Sequence, residues 1–408
     1  MKLFHISDLH IGRSLHKYNL GQCQREVLND IIRLAEEAQP DVMMIAGDIF
    51  DKAVPSGEAY TIFDTFLSDL TEALPRLEIL IIAGNHDSAE RLQYASTFLE
   101  RHHIHISVLP PADPGERLKK VVLSDEYGEV DFYLLPFTKP SYVRRLFEEG
   151  CSITWSEAVE KVLERESIDY SRRNVIISHQ FYASDGCKPD TCDSEQTSIS
   201  VGGIDQVDVD LLKEFEYAAL GHLHGSQQVR YPHVRYSGTP LKYSVSEEHQ
   251  KKSVVQIILG QKGHPAEISF LPLSCGRDVR TVKGTLDEVL TAAGEASDLS
   301  ESGFEQDSEE RSGCRCRCRD YVSIVLTDDD DGLLTDAKDK LEERYEHILE
   351  IRVDNKRTRA RFADSTAVQE EWTLSQAFVH FFEDMNHRPM TDQEASVMEQ
   401  IWKEMEED

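Results

Sequence analysis

Apolar and polar positions alternate between two periods along the first ~270 residues. Short β-rich apolar runs at 3–7, 42–46, 79–83, 132–136, 175–178 and 217–220 read as strands. Between them lie stretches with apolar residues at helical spacing. The clearest is 24–38, where Val27, Leu28, Ile31, Ile32 and Ala35 share one face. Strands alternating with helices predict a layered α/β fold, and the polar or Gly-containing turns after these strands are where such a sheet usually carries its chemistry.

The pattern changes after about residue 272. Residues 293–313 are rich in Ser, Glu, Asp and Gly and nearly free of large apolar side chains, which predicts a long exposed loop. A strand at 321–326, a helix at 333–345 and a strand at 348–353 follow as a small β-α-β-like module. Two amphipathic helices, 373–385 and 391–405, then read as a hairpin. Thr373 with Gln376 and Thr391 with Glu394 each fit a capping box at their starts. Leu374, Ala377, Phe378, Phe381, Phe382 and Met385 form one stripe; Ala395, Met398, Ile401, Trp402 and Met405 form the other. The division expected is 1–272, 273–362 and 363–408. There is no internal repeat.

Composition narrows the class. The chain has 408 residues, 40% of them hydrophobic, and no long uncharged apolar run that could span a bilayer. The start lacks the apolar core and cleavage site of a signal peptide, so a cytoplasmic protein is expected. Eight cysteines (23, 151, 187, 192, 275, 314, 316 and 318) are scattered rather than framed as disulfides and are expected to be reduced. The formal net charge of −31 argues against nucleic-acid binding by bulk electrostatics. A local basic groove or bound divalent cations can still reverse the field at one site.

Five strand ends carry candidate chemistry: Ser7-Asp8-Leu9-His10, Gly47-Asp48, Gly84-Asn85-His86-Asp87, Ser178-His179 and Gly221-His222-Leu223-His224. Each presents Asp, Asn or His, the oxygen and nitrogen ligands of divalent metals. Any one alone reads equally well as an ordinary polar strand end. The Gly before Asp48, Asn85 and His222 is expected to let the backbone turn sharply without a Cβ in the way.

DLH, GD, GNHD, SH and GHLH, in that order, resemble the calcineurin-like metallophosphoesterases. HISDLHIGR, MIAGDIFD, IAGNHDS, VGGIDQVD, YAALGHLHG and VRYSGTPLKYSVSE resemble, within that superfamily, the double-strand-break repair nuclease family. CGRDVRTVKGTLDEVL is similar to the start of that family's cap region, and the likeness weakens at 183–196 and 293–320. The resemblance implies a four-layer α/β sandwich of two sheets flanked by helices, a small α+β cap and a C-terminal helical hairpin.

It also implies two divalent metals; the mixed ligands suit manganese, with iron, zinc and magnesium left open. Asp8, His10, Asp48 and His224 would hold one ion, and Asp48, Asn85, His179 and His222 the other, with Asp48 bridging. His86 would stabilise the transition state or protonate the leaving 3′ oxygen, and Asp51 would orient it through its carboxylate. Asp87 is expected to be a buried turn residue. The implied activity is hydrolysis of DNA phosphodiesters in repair, replication and recombination. It comprises 3′-to-5′ exonuclease action on duplex ends and endonuclease action on single strands and hairpins. With no Walker A motif in the chain, any ATP dependence must come from a partner. The implied partner is a coiled-coil ATPase docking on Leu374, Phe378, Phe381, Phe382, Met398 and Trp402, within a heterotetramer built on a homodimer of this chain.

Candidate DNA contacts are Arg13 and Lys17; Lys139, Arg144 and Arg145; and Lys356, Arg357, Arg359 and Arg361. Such phosphate contacts position a duplex without reading its sequence. Each is open to the alternative of a solvated charged surface. In GCRCRCRD (313–320) an extended chain would put Cys314, Cys316 and Cys318 on one face and the arginines on the other, as an edge strand, an Arg face for DNA or a soft-metal site. Two other functions stay open: hydrolysis of small phosphodiesters or phosphoproteins, and a metal-free scaffold on the same fold.

Overall fold

Lys2–Ile6, Val42–Ala46, Glu78–Ile82 and Ile104–Ser107 pair in parallel and are buried along almost their whole length. A strand covered on both faces needs an unbroken apolar run, and VMMIA and EILII provide it. Ser253–Ile258 and Glu267–Pro272 add antiparallel to the other side of Lys2–Ile6, completing a six-stranded sheet. The computed structural model describes residues 1–148, 150–184, 188–195, 205–300 (side chains to 293), 317–328 and 336–355, with scattered positions between 378 and 398.

A second six-stranded sheet has Tyr217–Gly221 and Arg173–His179 at its centre, parallel to each other and flanked by Tyr231–Tyr236 and Gly128–Leu135. Its antiparallel edges are Gln227–Val229 and Lys119–Asp125. The two sheets pack face to face. Leu3, Val42, Met44, Leu80 and Ile82 from one meet Phe132, Leu134, Val175, Ile177 and Tyr217 from the other in a fully buried layer. Helices Gly21–Ala38 and Gly57–Ala73 cover the outside of the first sheet through Leu28, Ile31, Ile62, Phe66 and Leu70. Helix Trp155–Arg165 covers the second through Ala158, Val159 and Val162. This is the four-layer α/β sandwich, and its central parallel strands end along one edge.

Past residue 272 the chain builds a three-stranded parallel sheet from Val279–Gly284, Cys318–Leu326 and Tyr345–Val353. Helices Leu286–Ser300 and Ala337–Glu342 pack on it through Val289, Ala293, Ala337 and Leu341. Two expectations change here. Residues 293–300 are helical rather than loop, because Leu286, Val289 and Ala293 recur at helical spacing and bury. The helix expected at 333–345 is the shorter Ala337–Glu342, and Tyr345 instead opens a strand. Cys318 points inward at 2% exposure, with exposed Arg317 and Arg319 on either side, as alternation required. Cys187, Cys314 and Cys316 lie outside the described residues.

The module meets the sandwich through a short antiparallel pair, Ser14–Leu15 with Tyr18–Asn19, and the start of helix Gly21–Ala38. Tyr18 Oη donates to the Ile348 carbonyl and accepts from its N–H, both at 3.1 Å. Near the C-terminus Thr391 and Glu394 form the expected reciprocal capping box. Phe378, Phe382 and Met398 are helical and half-buried. Thr373, Leu374, Phe381, Trp402 and the basic run Lys356, Arg357, Arg359 and Arg361 lie outside the described residues. No helix among the described residues is long and apolar enough to cross a membrane.

Phe132 is fully buried between the sheets. Phe132→Ala is expected to cost about 3–5 kcal/mol. A lowered urea midpoint at unchanged slope would show it.

Candidate metal centre

The five chemistry-bearing segments converge at that common edge, but not by strand alternation. Lys2–Ile6 ends before Asp8, and the chain continues beside residues 47–49. Asp8 N–H bonds the Gly47 carbonyl at 3.0 Å, His10 N–H the Asp48 carbonyl at 3.0 Å and Ile11 N–H the Ile49 carbonyl at 2.9 Å. Asp8, His10, Asp48 and His222 all have positive φ (53°, 43°, 50° and 105°). Non-glycine residues held there carry local strain, and such strain clusters at functional sites.

The glycines before Asp48, Asn85 and His222 stand where a Cβ would be in the way, as expected. Of these three, Gly47 alone has positive φ (87°). Gly84 and Gly221 are required by space, since a Cβ would lie 2.1 Å from Asp48 Oδ1 at the first and 1.8 Å from the Ala46 carbonyl oxygen at the second.

The side chains come together as two overlapping sets. His10 Nε2 and His224 Nε2 are 3.2 Å apart, and Asp8 lies with them. Asn85 Oδ1 is 3.0 Å from both His179 Nε2 and His222 Nδ1. Asp48 stands between the sets, with Oδ2 3.3 Å from His179 Nε2 and 3.8 Å from His10 Nε2. An Asp8 carboxylate oxygen also lies within 4.8 Å of Asp48 and His179, so the two sets adjoin at the carboxylates. Apart from half-buried Asn85, all of these residues are at most 4% exposed.

Neighbouring bonds hold the donors in place. The His179 Nδ1–H donates to the Ala46 carbonyl at 2.8 Å, and His224 Nδ1 bonds Ser194 Oγ at 2.7 Å, leaving each Nε2 aimed inward. The His222 N–H reaches both Asp8 carboxylate oxygens at 3.0 Å, and Ser7 Oγ donates to Asp8 as well. Asp87 accepts from Gly84, Ile49 and Phe50 N–H at 2.9–3.1 Å, tying two ligand-bearing loops together. That is the turn role expected of it. Burial, aided by the Asp48 charge, raises its carboxyl to about 6.

Burial keeps the His10 imidazole well below its ordinary pKa and pushes His222 down to about 3. Burial also works to raise Asp48, but the charges and hydrogen bond of His179, with His10 and His86, outweigh it and hold the carboxyl low. The same pairing overcomes burial at His179 and raises it to about 9. His10 Nδ1 is buried without a hydrogen-bond partner among the described residues. Two carboxylates, four imidazoles and an amide oxygen, with burial favouring the neutral ring at His10 and His222, fit divalent cations of intermediate hardness.

His86 sits at the rim. Its N–H donates to Asp48 Oδ1 at 2.8 Å, and its Nδ1–H to the backbone carbonyl of Asp51 at 2.9 Å. The Asp51 carboxylate instead lies 3.8 Å from His10 Nδ1 and 3.5 Å from Arg13. Orientation of His86 by residue 51 therefore runs through the main chain, correcting the expected side-chain contact.

A cleft of about 630 Å³ opens beside Asn85, His86 and His222, lined also by Lys52, Phe137 and Lys139. Lys139 Nζ lies 5.5 Å from the Phe137 ring centroid, within reach of that space. Arg13 is only 17% exposed, stacked on Tyr243 at 5.1 Å and donating to the Ser194 carbonyl at 3.2 Å. It borders a second cleft, of about 610 Å³, between sandwich and module. Lys17 is exposed over Tyr18. Arg144 donates to the Cys151 carbonyl, and Arg145 pairs with Asp113 at 3.1 Å, neither in the cleft.

Sequence reasoning missed Glu247. It is fully buried beside His224 Nδ1 (3.7 Å), accepting from Ser194 Oγ at 2.8 Å, Tyr243 N–H at 3.1 Å and Lys252 Nζ at 2.6 Å. Burial opposes its ionisation, yet His224 and Lys252 hold its carboxyl well below the ordinary range. The available signal was local, since Ser244-Val245-Ser246-Glu247 has capping-box spacing. Glu195, whose carboxylate takes the His224 N–H, falls in a stretch where the motif likeness fades.

Residues 1–226 match the calcineurin-like phosphoesterase family model. Residues 275–386 match the model described as type 5 capsule protein repressor C-terminal domain. The chain is 30% identical over 292 residues to the D subunit of the SbcCD nuclease of Staphylococcus epidermidis, covering 71% of this chain and 74% of that protein. Its likeness to the protein of the same name in Staphylococcus saprophyticus subsp. saprophyticus is 30% over 294 residues, covering 71% and 73%.

Partners of metal-binding His side chains commonly control metal affinity by about 10–100-fold. Glu247→Gln is expected to weaken divalent-metal binding by that factor, read from metal retained after equilibrium dialysis. Unchanged affinity would mean that Ser194 alone orients His224.

Proposed function

This chain belongs to the calcineurin-like phosphoesterase family and, within it, to the SbcD nucleases, and we propose that it hydrolyses DNA phosphodiesters as the nuclease subunit of an SbcCD-type complex. The observation that carries this reading is the convergence of Asp8, His10, Asp48, Asn85, His179, His222 and His224, from five separate strand ends, on one buried locus. Asp8, His10, Asp48 and His224 would hold one divalent ion, and Asp48, Asn85, His179 and His222 the other, with Mn²⁺ favoured by the mixed donor set. When bound, such an ion pair lowers the pKa of a water and neutralises charge on the attacking and leaving oxygens.

The chain's own groups supply the remaining roles. The Asp51 carbonyl fixes a proton on His86 Nδ1, so Nε2 is the nitrogen that passes a proton to the leaving 3′ oxygen. Lys139 and Lys52, in the cleft beside His86, suit backbone phosphates. Arg13 acts from the second cleft and Lys17 from its exposed rim. Arg144 and Arg145 reach DNA only by leaving their present partners. Lys356, Arg357, Arg359 and Arg361 would extend the contact surface from the capping region, 273–362.

Residues 363–408 would form the hairpin that binds an SbcC-type coiled-coil ATPase, through Leu374, Phe378, Phe381, Phe382, Met398 and Trp402. The assembly would be a heterotetramer around a homodimer of this chain, acting in the cytoplasm in repair, replication and recombination. Its activities would be 3′-to-5′ exonuclease on duplex ends and endonuclease on single strands and hairpins, gated by ATP through the partner.

The test is Mn²⁺-dependent cleavage of end-labelled duplex DNA beside a small aryl phosphodiester. DNA cleavage abolished by chelation is expected. His86→Ala should lower kcat about 10²–10⁴-fold while retaining metal and DNA binding. Hydrolysis of the small ester with DNA untouched, with and without the ATPase partner, would assign the site to another substrate.

A further inference from the structure

Cys23 and Cys275 lie on opposite sides of the junction between sandwich and module. Cys23 is near the start of helix Gly21–Ala38 and is 2% exposed. Half-buried Cys275 lies between the last sandwich strand, Glu267–Pro272, and the first module strand, Val279–Gly284. Their sulfurs and a Glu26 carboxylate oxygen all fall within 4.8 Å of one another.

The environment of the pair is asymmetric. The Cys275 thiol lies within 4.8 Å of Cys23 Sγ, placed to donate toward it. Cys23 Sγ is also 3.6 Å from Tyr321 Oη and 3.6 Å from Arg277 Nη1. Three donors therefore converge on one sulfur. The neighbouring Cys275 thiol is the largest influence and, against burial, brings the Cys23 thiol down to about 6. A thiolate at Cys23, with the proton kept on Cys275, is the arrangement of an attacking and a resolving thiol. A cavity of about 350 Å³, lined by Cys23, Cys275, Arg277 and Tyr321, admits a small reagent to both. The guanidinium directed at Cys23 disfavours a cation at the same sulfur, which separates this pair from a metal site.

We propose that Cys23 and Cys275 form a redox modification site, which a hydroperoxide converts into a disulfide clasp joining the first helix of the sandwich to the segment entering the module. The Cys23 thiolate attacks the outer peroxide oxygen. The O–O bond breaks, leaving Cys23 as a sulfenic acid and releasing an alcohol, or water from hydrogen peroxide, once the leaving oxygen is protonated. The Cys275 sulfur then attacks Cys23. The S–S bond forms as the S–O bond breaks, and hydroxide leaves as water with the Cys275 proton. The two thiols lose two electrons and the peroxide gains them. Thiol–disulfide exchange restores the dithiol. The site is independent of the nuclease reading, and its test uses no nuclease activity.

The experiment treats the reduced full-length protein with hydrogen peroxide, alkylates the remaining thiols and maps peptides without reduction. A linked peptide containing Cys23 and Cys275 is expected in most of the chain, reversed by dithiothreitol, while exposed Cys151 stays alkylated. In Cys275→Ser, Cys23 should instead accumulate as sulfenic or sulfinic acid, since its resolving partner is gone. The idea is overturned if both cysteines remain alkylated at a peroxide level that oxidises Cys151, or if crosslinks scatter over other cysteines. It is equally overturned if the reduced protein carries stoichiometric zinc that Cys275→Ser releases. The wild-type peptide map decides the question even where a variant fails to fold.

Discussion

Asp8 and Asp48 are carboxylates with almost no contact with solvent, and the structure around them is organised by that fact. Removing such a charge from water costs several kcal/mol even after relaxation, unless cations or donors replace the lost hydration. Here the replacement comes from main-chain N–H groups of His86 and His222, from the Ser7 hydroxyl, and from imidazoles at 3.3–3.8 Å from Asp48. No single element supplies them. Both sheets must stop at the same edge, and the loops after five strands must close over it, before either carboxylate is tolerable. Folding of the sandwich and assembly of the site are thus the same requirement.

That requirement explains features which otherwise look like local oddities. Four ligand candidates sit at positive φ because the backbone must turn inward within a residue or two of each strand end. Gly84 has no room for a Cβ because the neighbouring strand of its own sheet leads into Asp48, and Gly221 because the facing sheet brings Ala46 against it. The energy to hold these conformations comes from the apolar layer between the sheets, where Phe132, Val175 and Tyr217 are fully excluded from water.

Much of this was legible in the residues. The buried parallel strands announce themselves as continuous apolar runs, and the ligand candidates follow them at once. Edge strands such as Lys119–Asp125 and Glu267–Pro272 mix charge with apolar residues and were not legible, since each has a strand neighbour on only one side among the described residues. Val279–Gly284 was missed for a similar reason, as its polar residues hide an edge of the module sheet. Glu247 could not be identified because a buried carboxylate is stable only through tertiary partners, and Lys252 and His224 become its neighbours only in the fold. Asp8 and His10 are brought together by left-handed turns beside residues 47–49 rather than by alternation along a strand.

The pairing of Tyr18 with the Ile348 peptide gives the small module a mechanical grip on the site. Tyr18 lies on the same short segment as His10, and Arg13 between them is braced against Asp51 and Tyr243. There is little slack in that segment to absorb a tilt. A rotation of the module about its junction would therefore arrive at His10 as a displacement of the imidazole, making the position of a distant sheet an input to the coordination geometry.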